Sequence, residues 1–347
     1  MNTHSVEQYQ GSIRILAAGA CCALGYGMDA IDCALRAGLD QFQESEFYSQ
    51  SGDPLRVARL PDNQHWGAER LTLWLRHAVG DCLGNLPDLS LDSLPVFLLT
   101  PEAERPHGEE HRQFETAVSA QKCLGVRFHP QSRIVAGGRA GLGMALQQIA
   151  TLFTQGEHQR ALLIGVDSFL NAASINHYLN TERLLCPGNS DGFLPGEGAA
   201  AVLLEACEPN ISGLHIAGVG CGQADGRPDG SVPSRARGLS QAIHTALDHA
   251  GLSIADLSFR LSDQNGEAFF AREAAHALAR VARPGDTTPA VLTTADCTGE
   301  IGAATGPLML AWLSRLMARP DGPGHYGLIH LANDNGLRSA TALRYQP

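Results

Sequence analysis

Residues 133 to 153, RIVAGGRAGLGMALQQIATLF, hold the arrangement in this sequence best suited to chemistry. An apolar strand, Arg133 to Ala136, meets a turn of Gly137, Gly138, Arg139, Ala140 and Gly141, and an apolar helix follows from Leu142 to Phe153. A strand that turns into a helix aims the turn at the helix N-terminus. Backbone N–H groups and the positive dipole end meet there and favour an oxyanion or a thiolate. Enzymes place nucleophiles at such elbows. This turn contains no Ser and no Cys. Two readings stay open: a tight turn that packs helix on strand, or a retained hole for an anion or a carbonyl. Arg139 is the charged residue of the turn. A buried Arg needs a carboxylate partner; Glu300 and Asp296 are candidates, and an anionic ligand is the other.

Asp263, Glu267, Asp296 and Glu300 lie close in sequence and form a candidate buried acidic cluster, in which a pair could share a proton. Cys297, three residues before Glu300, is a candidate substitute nucleophile, although small buried thiols are usually inert. Lys122, the single lysine beside 24 arginines, sits at a helix end with nothing around it that suggests Schiff-base chemistry. The 14 His show no metal-ligand spacing, and no cofactor is implied.

The totals exclude several classes. A net charge of -11 argues against non-specific nucleic-acid binding. No apolar run approaches the roughly 18 residues of a membrane span. The N-terminus, MNTHSVEQYQ, lacks a secretory pattern, and nine dispersed cysteines read as reduced and cytoplasmic.

The elements that must position these residues alternate strand and helix. Ile13 to Ala18 reads as a strand running into a glycine loop and a helix that ends at Ala37-Gly38. Residues 40 to 66 read as irregular. Ala68 to Leu86 is an amphipathic helix, Pro95 to Thr100 a buried strand, PEAERPHGEEH a charged loop and Phe114 to Leu124 a helix. After the elbow come the strands Arg160 to Val166 and Ala199 to Leu204. ACEPNIS, 206 to 212, reads as a linker between halves 1–205 and 213–347. The second half repeats the first. GLHIAGVGCG (213 to 222) matches IRILAAGACC, and Arg237 to Gly251 corresponds to the helix ending at Ala37-Gly38. VLTTADCTGEIGAATGPLMLAWLSRLM (291 to 317) matches the elbow and its helix, and Ile329 to Ala332 and Ala340 to Leu343 close the chain. Two helices apolar nearly all round require cover on both sides, hence stacked sheets with helices between and outside.

DGFLPGEGAAAVLLE (191 to 205) resembles the beta-ketoacyl synthase signature. Weaker matches follow the same order. GVDS (165 to 168) is similar to that family's Gly-Gly-x-Glu strand end, and ALDHAGLSIADLSF (246 to 259) to the helix and linker before its first catalytic His. TGEIGAATGPLMLAWL (298 to 313) is similar to its Thr-Gly-His-x-x-Gly-Ala-Ala-Gly run, and NDNGLRSATAL (333 to 343) to its glycine-rich C-terminal stretch. The resemblance implies an α/β fold, the thiolase-like duplicated αβαβα five-layer sandwich.

The resemblance also implies a Cys nucleophile at the elbow, two His and a Lys. Here Gly138, or Gly137 with a gap shifted by one, stands in the Cys slot. Asn265 and Glu300 take the two His slots and Ala295 the Lys slot, while Leu337 and Arg338 replace Gly and Thr after Gly336. Covalent acyl transfer at the elbow is removed. Asn265 retains one donor for a carbonyl. Glu300 would repel a malonyl carboxylate unless protonated.

The expected function is a non-condensing relative, a pseudoenzyme in fatty-acid or polyketide-type metabolism. It would bind an acyl thioester, an acyl-carrier protein or a partner synthase. The expected pocket includes Gly137, Arg139, Cys297 and Gly336, and the expected assembly is a dimer, homo- or heteromeric, with residues 133 to 136 near the interface. The alternatives are an acyltransferase, thioester hydrolase or decarboxylase using Glu300 or Asp263 as a base, and a structural subunit with a filled pocket.

Overall fold

The computed structural model describes residues 12–61, 64–84, 86 and 89–347. The first half runs β1 (Ser12–Cys22), β2 (Gly25–Tyr26), α1 (Met28–Ala37), β3 (Gln43–Tyr48), β4 (Pro54–Val57), α2 (Gly67–Leu83), β5 (Val96–Thr100), α3 (Glu110–Leu124), β6 (Arg133–Ala136), α4 (Gly141–Thr154), β7 (Arg160–Ser168), α5 (Ala172–Asn180) and β8 (Glu197–Cys207). The second runs β9 (Gly213–Gln223), α6 (Arg237–Ala250), β10 (Phe259–Ser262), α7 (Ala268–Val281), β11 (Ala290–Thr293), α8 (Ala295–Thr298), α9 (Thr305–Leu316), β12 (Tyr326–Ala332) and β13 (Leu337–Gln346).

The strand order shows the duplication. One half reads β6-β5-β7-β8-β1 and the other β11-β10-β12-β13-β9, with the two joined where Ile13 and Arg14 of β1 pair with Ile216 and His215 of β9. In each half three neighbouring strands are parallel and the other pairings antiparallel.

Alternation along the strands builds the layers. Phe97, Leu99 and Leu163 face inward to a core shared with Leu146, Ile149, Leu308 and Leu313 of α4 and α9. Val96, Leu98 and Leu162 face outward to Trp74, Leu75 and Ala120 of α2 and α3. On the far side Leu328, Ala340 and Ala342 face α6 and α7. The result is helices, sheet, helices, sheet, helices.

Several expectations change. The counterpart of α6 is α2, not α1. α6 packs on β9 and β13 as α2 packs on β1 and β8, whereas α1 lies on the inner side against α9. Glycine permits the close approach: a Cβ at Gly220 would overlap the carbonyl oxygen of Ala242, and one at Gly19 would collide with the α2 backbone at Ala78 and Cys82. The connection between halves is 208 to 212 rather than 206 to 212, because antiparallel pairing with β1 carries β8 through Ala206 and Cys207. Residues 43 to 57 form a hairpin, β3 with β4, inside the stretch that reads as irregular. Finally, α9 is buried from Thr305 to Leu313, but α4 exposes Met144, Gln147, Gln148 and Thr151 along one stripe. Among the described residues no helix is long and apolar enough to cross a membrane.

Candidate functional site

The elbow folds as a sharp turn because Gly138 takes a φ of 49°, a left-handed conformation glycine adopts without strain. Most of its N–H groups have partners. Gly137 donates to Val135, Gly138 to Thr100 at 3.0 Å and Gly141 to Gly138. Ala140 donates to Asn333 Oδ1 at 2.9 Å. The same Asn333 donates through Nδ2 to the Gly137 carbonyl, so this side chain from the turn after β12 staples the elbow to the second half. Four of the turn's five N–H groups are thus bonded, which favours the tight-turn reading.

The space beside Gly138 is taken by a neighbouring side chain. A Cβ at Gly138 would overlap the carboxylate of Glu102 and come to 3.2 Å from Asn333 Nδ2. Glu102 lies just beyond β5 and is 6% exposed. At Gly137 a Cβ would overlap the backbone at Gly141.

Around this point three arginines and six carboxylates interlock. Arg139 binds Glu300, reaches Asp263 Oδ2 at 3.5 Å and Asp334 at 4.0 Å, and stacks over Phe270 at 4.8 Å. Arg183 holds both Glu267, at 2.6 and 3.0 Å, and Asp334, also at 2.6 and 3.0 Å, each through two bonds. Arg105 binds Asp167 and stacks over Phe169 at 4.2 Å. Paired, forked bonds of this kind orient side chains strongly. What remains open is a cavity of about 10 Å³, lined among others by Glu102, Arg105, Arg139, Asn265, Glu300 and Asp334. That is room for about one water molecule.

Each candidate from the sequence has a defined place. Glu300 spends one oxygen on Arg139 and Asn265 Nδ2 (2.9 Å) and the other on the Gly302 N–H (2.8 Å). Both Glu300 oxygens thus accept bonds from the protein itself, and the residue lines the small cavity. Asn265 Nδ2 also donates to Glu267 at 3.1 Å, so the donor expected for a carbonyl is committed to two carboxylates. Asp263 sits behind Arg139, outside the cavity lining, and accepts from the Ala332 N–H at 2.8 Å.

Cys297 packs in the inner core rather than the pocket, and burial pushes its thiol up, against the thiolate a nucleophile needs. Gly336 forms the β12–β13 turn at φ 92° and lies outside the lining, as does Gly137. Asp296 bonds Thr293, so it is not Arg139's partner; Glu300 is. Lys122 is exposed in the last turn of α3. Glu102, Arg105, Arg183, Asn333 and Asp334 carry the site without having been singled out. The available signal was the Glu102-x-x-Arg105 pair directly after a buried strand.

Six carboxylates against three guanidiniums leave an excess of negative charge that burial penalises. Burial raises the Asp263 carboxyl to about 6, with Arg139 and the Ala332 N–H opposing and Glu300 reinforcing the rise. Burial also raises Glu102, against the pull of Arg105 and with repulsion from Asp334 and Asp167. Asp334 stays below its usual range because Arg183 and Arg139 outweigh its burial.

The folded state thus binds the Asp263 proton more tightly than the unfolded chain. The resulting stability is fully present below the unfolded value of 3.8 and is lost as pH rises through about 6. The gap amounts to on the order of 3 kcal/mol at most. Asp263→Asn is expected to flatten the stability profile between pH 4 and 6.5, read from urea unfolding at several pH values. A variant whose profile parallels the native one would remove Asp263 as the titrating group.

No family model matches the sequence. Solved structures do match over nearly the whole chain. The ishigamide ketosynthase/chain length factor superposes with a TM-score of 0.73 at 19% identity, covering 97% of this chain and 100% of that one. A beta-ketoacyl synthase from Burkholderia phymatum STM815 gives 0.75 at 16% identity, with 97% and 100% covered. The ketosynthase ApeO in complex with its chain length factor ApeC, from Xenorhabdus doucetiae, gives 0.72 at 17%, with 99% and 100% covered.

The chain has the thiolase-like ketosynthase fold. Within that fold the three slots named from sequence, Gly138, Asn265 and Glu300, converge: Glu300 bonds both Asn265 and the residue after Gly138. In this ketosynthase-fold chain the signature stretch is a brace. Glu197 is fully buried and binds Arg70, the Leu60 N–H and Ser168, while Asp191 accepts the N–H of Ala268 at the start of α7.

Proposed function

We propose that the chain is a non-condensing subunit of a ketosynthase-type assembly, acting by pairing with a ketosynthase-fold partner and its acyl-carrier protein. The observation that carries this reading is the Glu102 carboxylate standing where a side chain at Gly138 would go, beside a cavity of about 10 Å³. An acyl thioester has neither a nucleophile nor a volume to enter there. Of the readings open from sequence, a filled structural pocket has the stronger support. A carboxylate-base enzyme has less, because both oxygens of Glu300 are already engaged and Asp263 lies outside the cavity lining.

The pairing surface in this reading is the free margin of the first half. Among the described residues β6 pairs with β5 alone and ends the sheet there, leaving an edge of backbone groups outside the sheet pairing. Ile134 on that edge and Met144 on the neighbouring α4 are exposed, in line with the α4 stripe. The proposed dimer, homo- or heteromeric, covers this margin.

Intact mass spectrometry of the chain mixed with malonyl- and acyl-loaded carrier protein tests both parts. The expected denatured spectra show no adduct on the chain and no change on the carrier. Native spectra are expected at twice the 36.8 kDa chain mass, or as a one-to-one complex when a ketosynthase is added. An acyl adduct, or a carrier emptied at rates above the uncatalysed control, overturns the non-condensing reading. A monomer under both conditions overturns the pairing.

A further inference from the structure

A second cluster of reactive side chains shares no residue with the elbow. It sits where β1 and β9 join the two halves. Residues paired directly across antiparallel strands point to one face. One such row runs from Arg160 on β7 through Glu205, Arg14 and His215 to Arg344 on β13. Ser12 and Cys207 pair with each other, two residues along from Arg14 and Glu205, and so share that face. Ile13, between Ser12 and Arg14, faces the inner core, so the row faces outward.

Three groups of this cluster form a relay. His215 is buried, and its Nε2 lies 2.6 Å from the Ile211 carbonyl. A carbonyl only accepts, so Nε2 carries the proton and Nδ1 keeps a lone pair. Ser12 Oγ stands 2.6 Å from Nδ1 and donates to it. Burial holds the imidazole below the usual histidine value, opposed by the Ile211 bond and reinforced by Arg14 and Arg344, so Nδ1 stays unprotonated at neutral pH. A hydroxyl bonded to a base that a third group orients is the arrangement of an activated nucleophile. Ser12 is partly exposed, which leaves it open to a substrate. Arg14 and Arg160 share Glu205, whereas Arg344 has no acid partner among the described residues and lies over Tyr326 at 5.8 Å. Cys207 Sγ, 3.9 Å from the same Nδ1, is the competing nucleophile, but burial pushes its thiol up, with Glu205 and Glu208 adding to the rise against Arg14.

We propose that Ser12 is the nucleophile of a second, hydrolytic site that takes small oxygen esters, with His215 as its base. Ser12 Oγ attacks the ester carbonyl carbon while its proton passes to His215 Nδ1. The positive charge of Arg344, across the strand pair from His215, favours the oxyanion that forms. The bond to the alcohol oxygen breaks, and the alcohol leaves with the proton from Nδ1. Water then adds to the acyl-serine and gives a proton to Nδ1. Ser12 Oγ departs with that proton, and the acid is released. Neither Ser12 nor His215 belongs to the elbow cluster or to the proposed pairing margin.

Mass spectrometry of the full chain treated with diisopropyl fluorophosphate, with peptide mapping of the adduct, reads this directly. A single phosphoryl adduct on Ser12 is expected, together with hydrolysis of 4-nitrophenyl acetate. His215→Gln is expected to slow both by at least about 100-fold, the usual worth of a general base. Ser12→Ala is expected to abolish the adduct and the hydrolysis with an unchanged melting temperature. Ser12 is partly exposed, so this variant decides the case even where His215→Gln fails to fold. Four results overturn the proposal: no adduct, an adduct on Cys207 or any other residue instead, labelling of Ser12 at the native rate in His215→Gln, or native ester hydrolysis in Ser12→Ala.

Discussion

Arg139→Met is expected to lower the unfolding free energy by about 3–5 kcal/mol, the usual loss when one partner of a buried ion pair is removed. Arg139 is 7% exposed and is the cation shared by Glu300, Asp263 and Asp334, which come from three separate segments of the second half. Methionine can fill the volume over Phe270 but leaves Glu300 and Asp263 buried without their counter-charge. The defect is therefore expected to shrink in acid. Without Arg139 the Asp263 carboxyl rises further, so the folded state gains by binding its proton, and this gain is lost as pH climbs through that raised value. Urea unfolding at pH 5 and pH 7.5 checks it. A loss below about 1 kcal/mol at pH 7.5, or one equal at both pH values, would show that the acids are served by Arg183 and Asn265 alone.

Restoring a thiol to the elbow is expected to be similarly costly. Gly138→Cys forces a side chain into a left-handed backbone, at about 1–2 kcal/mol, and into the Glu102 carboxylate, where overpacking adds about 1–3 kcal/mol. The two parts separate in a double-mutant cycle. Glu102→Ala combined with Gly138→Cys removes the overlap but not the backbone strain, so a favourable coupling of about 1–2 kcal/mol is expected between the two sites. Additive effects would mean that the two positions do not compete for the same space. The double variant is not expected to gain condensing activity, because Asn265 and Glu300 remain bonded to each other and to Arg139.

Both experiments probe features that differ in how readable they were from the chain. The fold class was legible because its signals are local. Stretches such as Val96 to Leu99 and Ala199 to Leu204 are apolar at every position, which only burial on both faces explains, and the strand–turn–helix pattern occurs twice in order. That Gly137 and Gly138 offer no nucleophile was legible too, since no fold can give either a side chain. Helix pairing was less so. The α1 and α2 helices are both amphipathic and both follow β1, and only the close approach at Gly19 and Gly220 shows that α2 is the partner of α6.

The sequence by itself determined a duplicated α/β sandwich with an elbow that cannot be acylated, because hydrophobic period and residue identity are properties of short stretches. Only the tertiary structure decided what became of the empty position. Glu102 reaches the elbow from the loop after β5 and Asn333 from the turn after β12, while Arg183 arrives from the segment after α5. These residues meet because the two halves pack on a shared inner core around α4 and α9 although their strands lie at opposite ends of the strand order, and the pairing of an acid with an arginine depends on that distance in space rather than on any spacing along the chain.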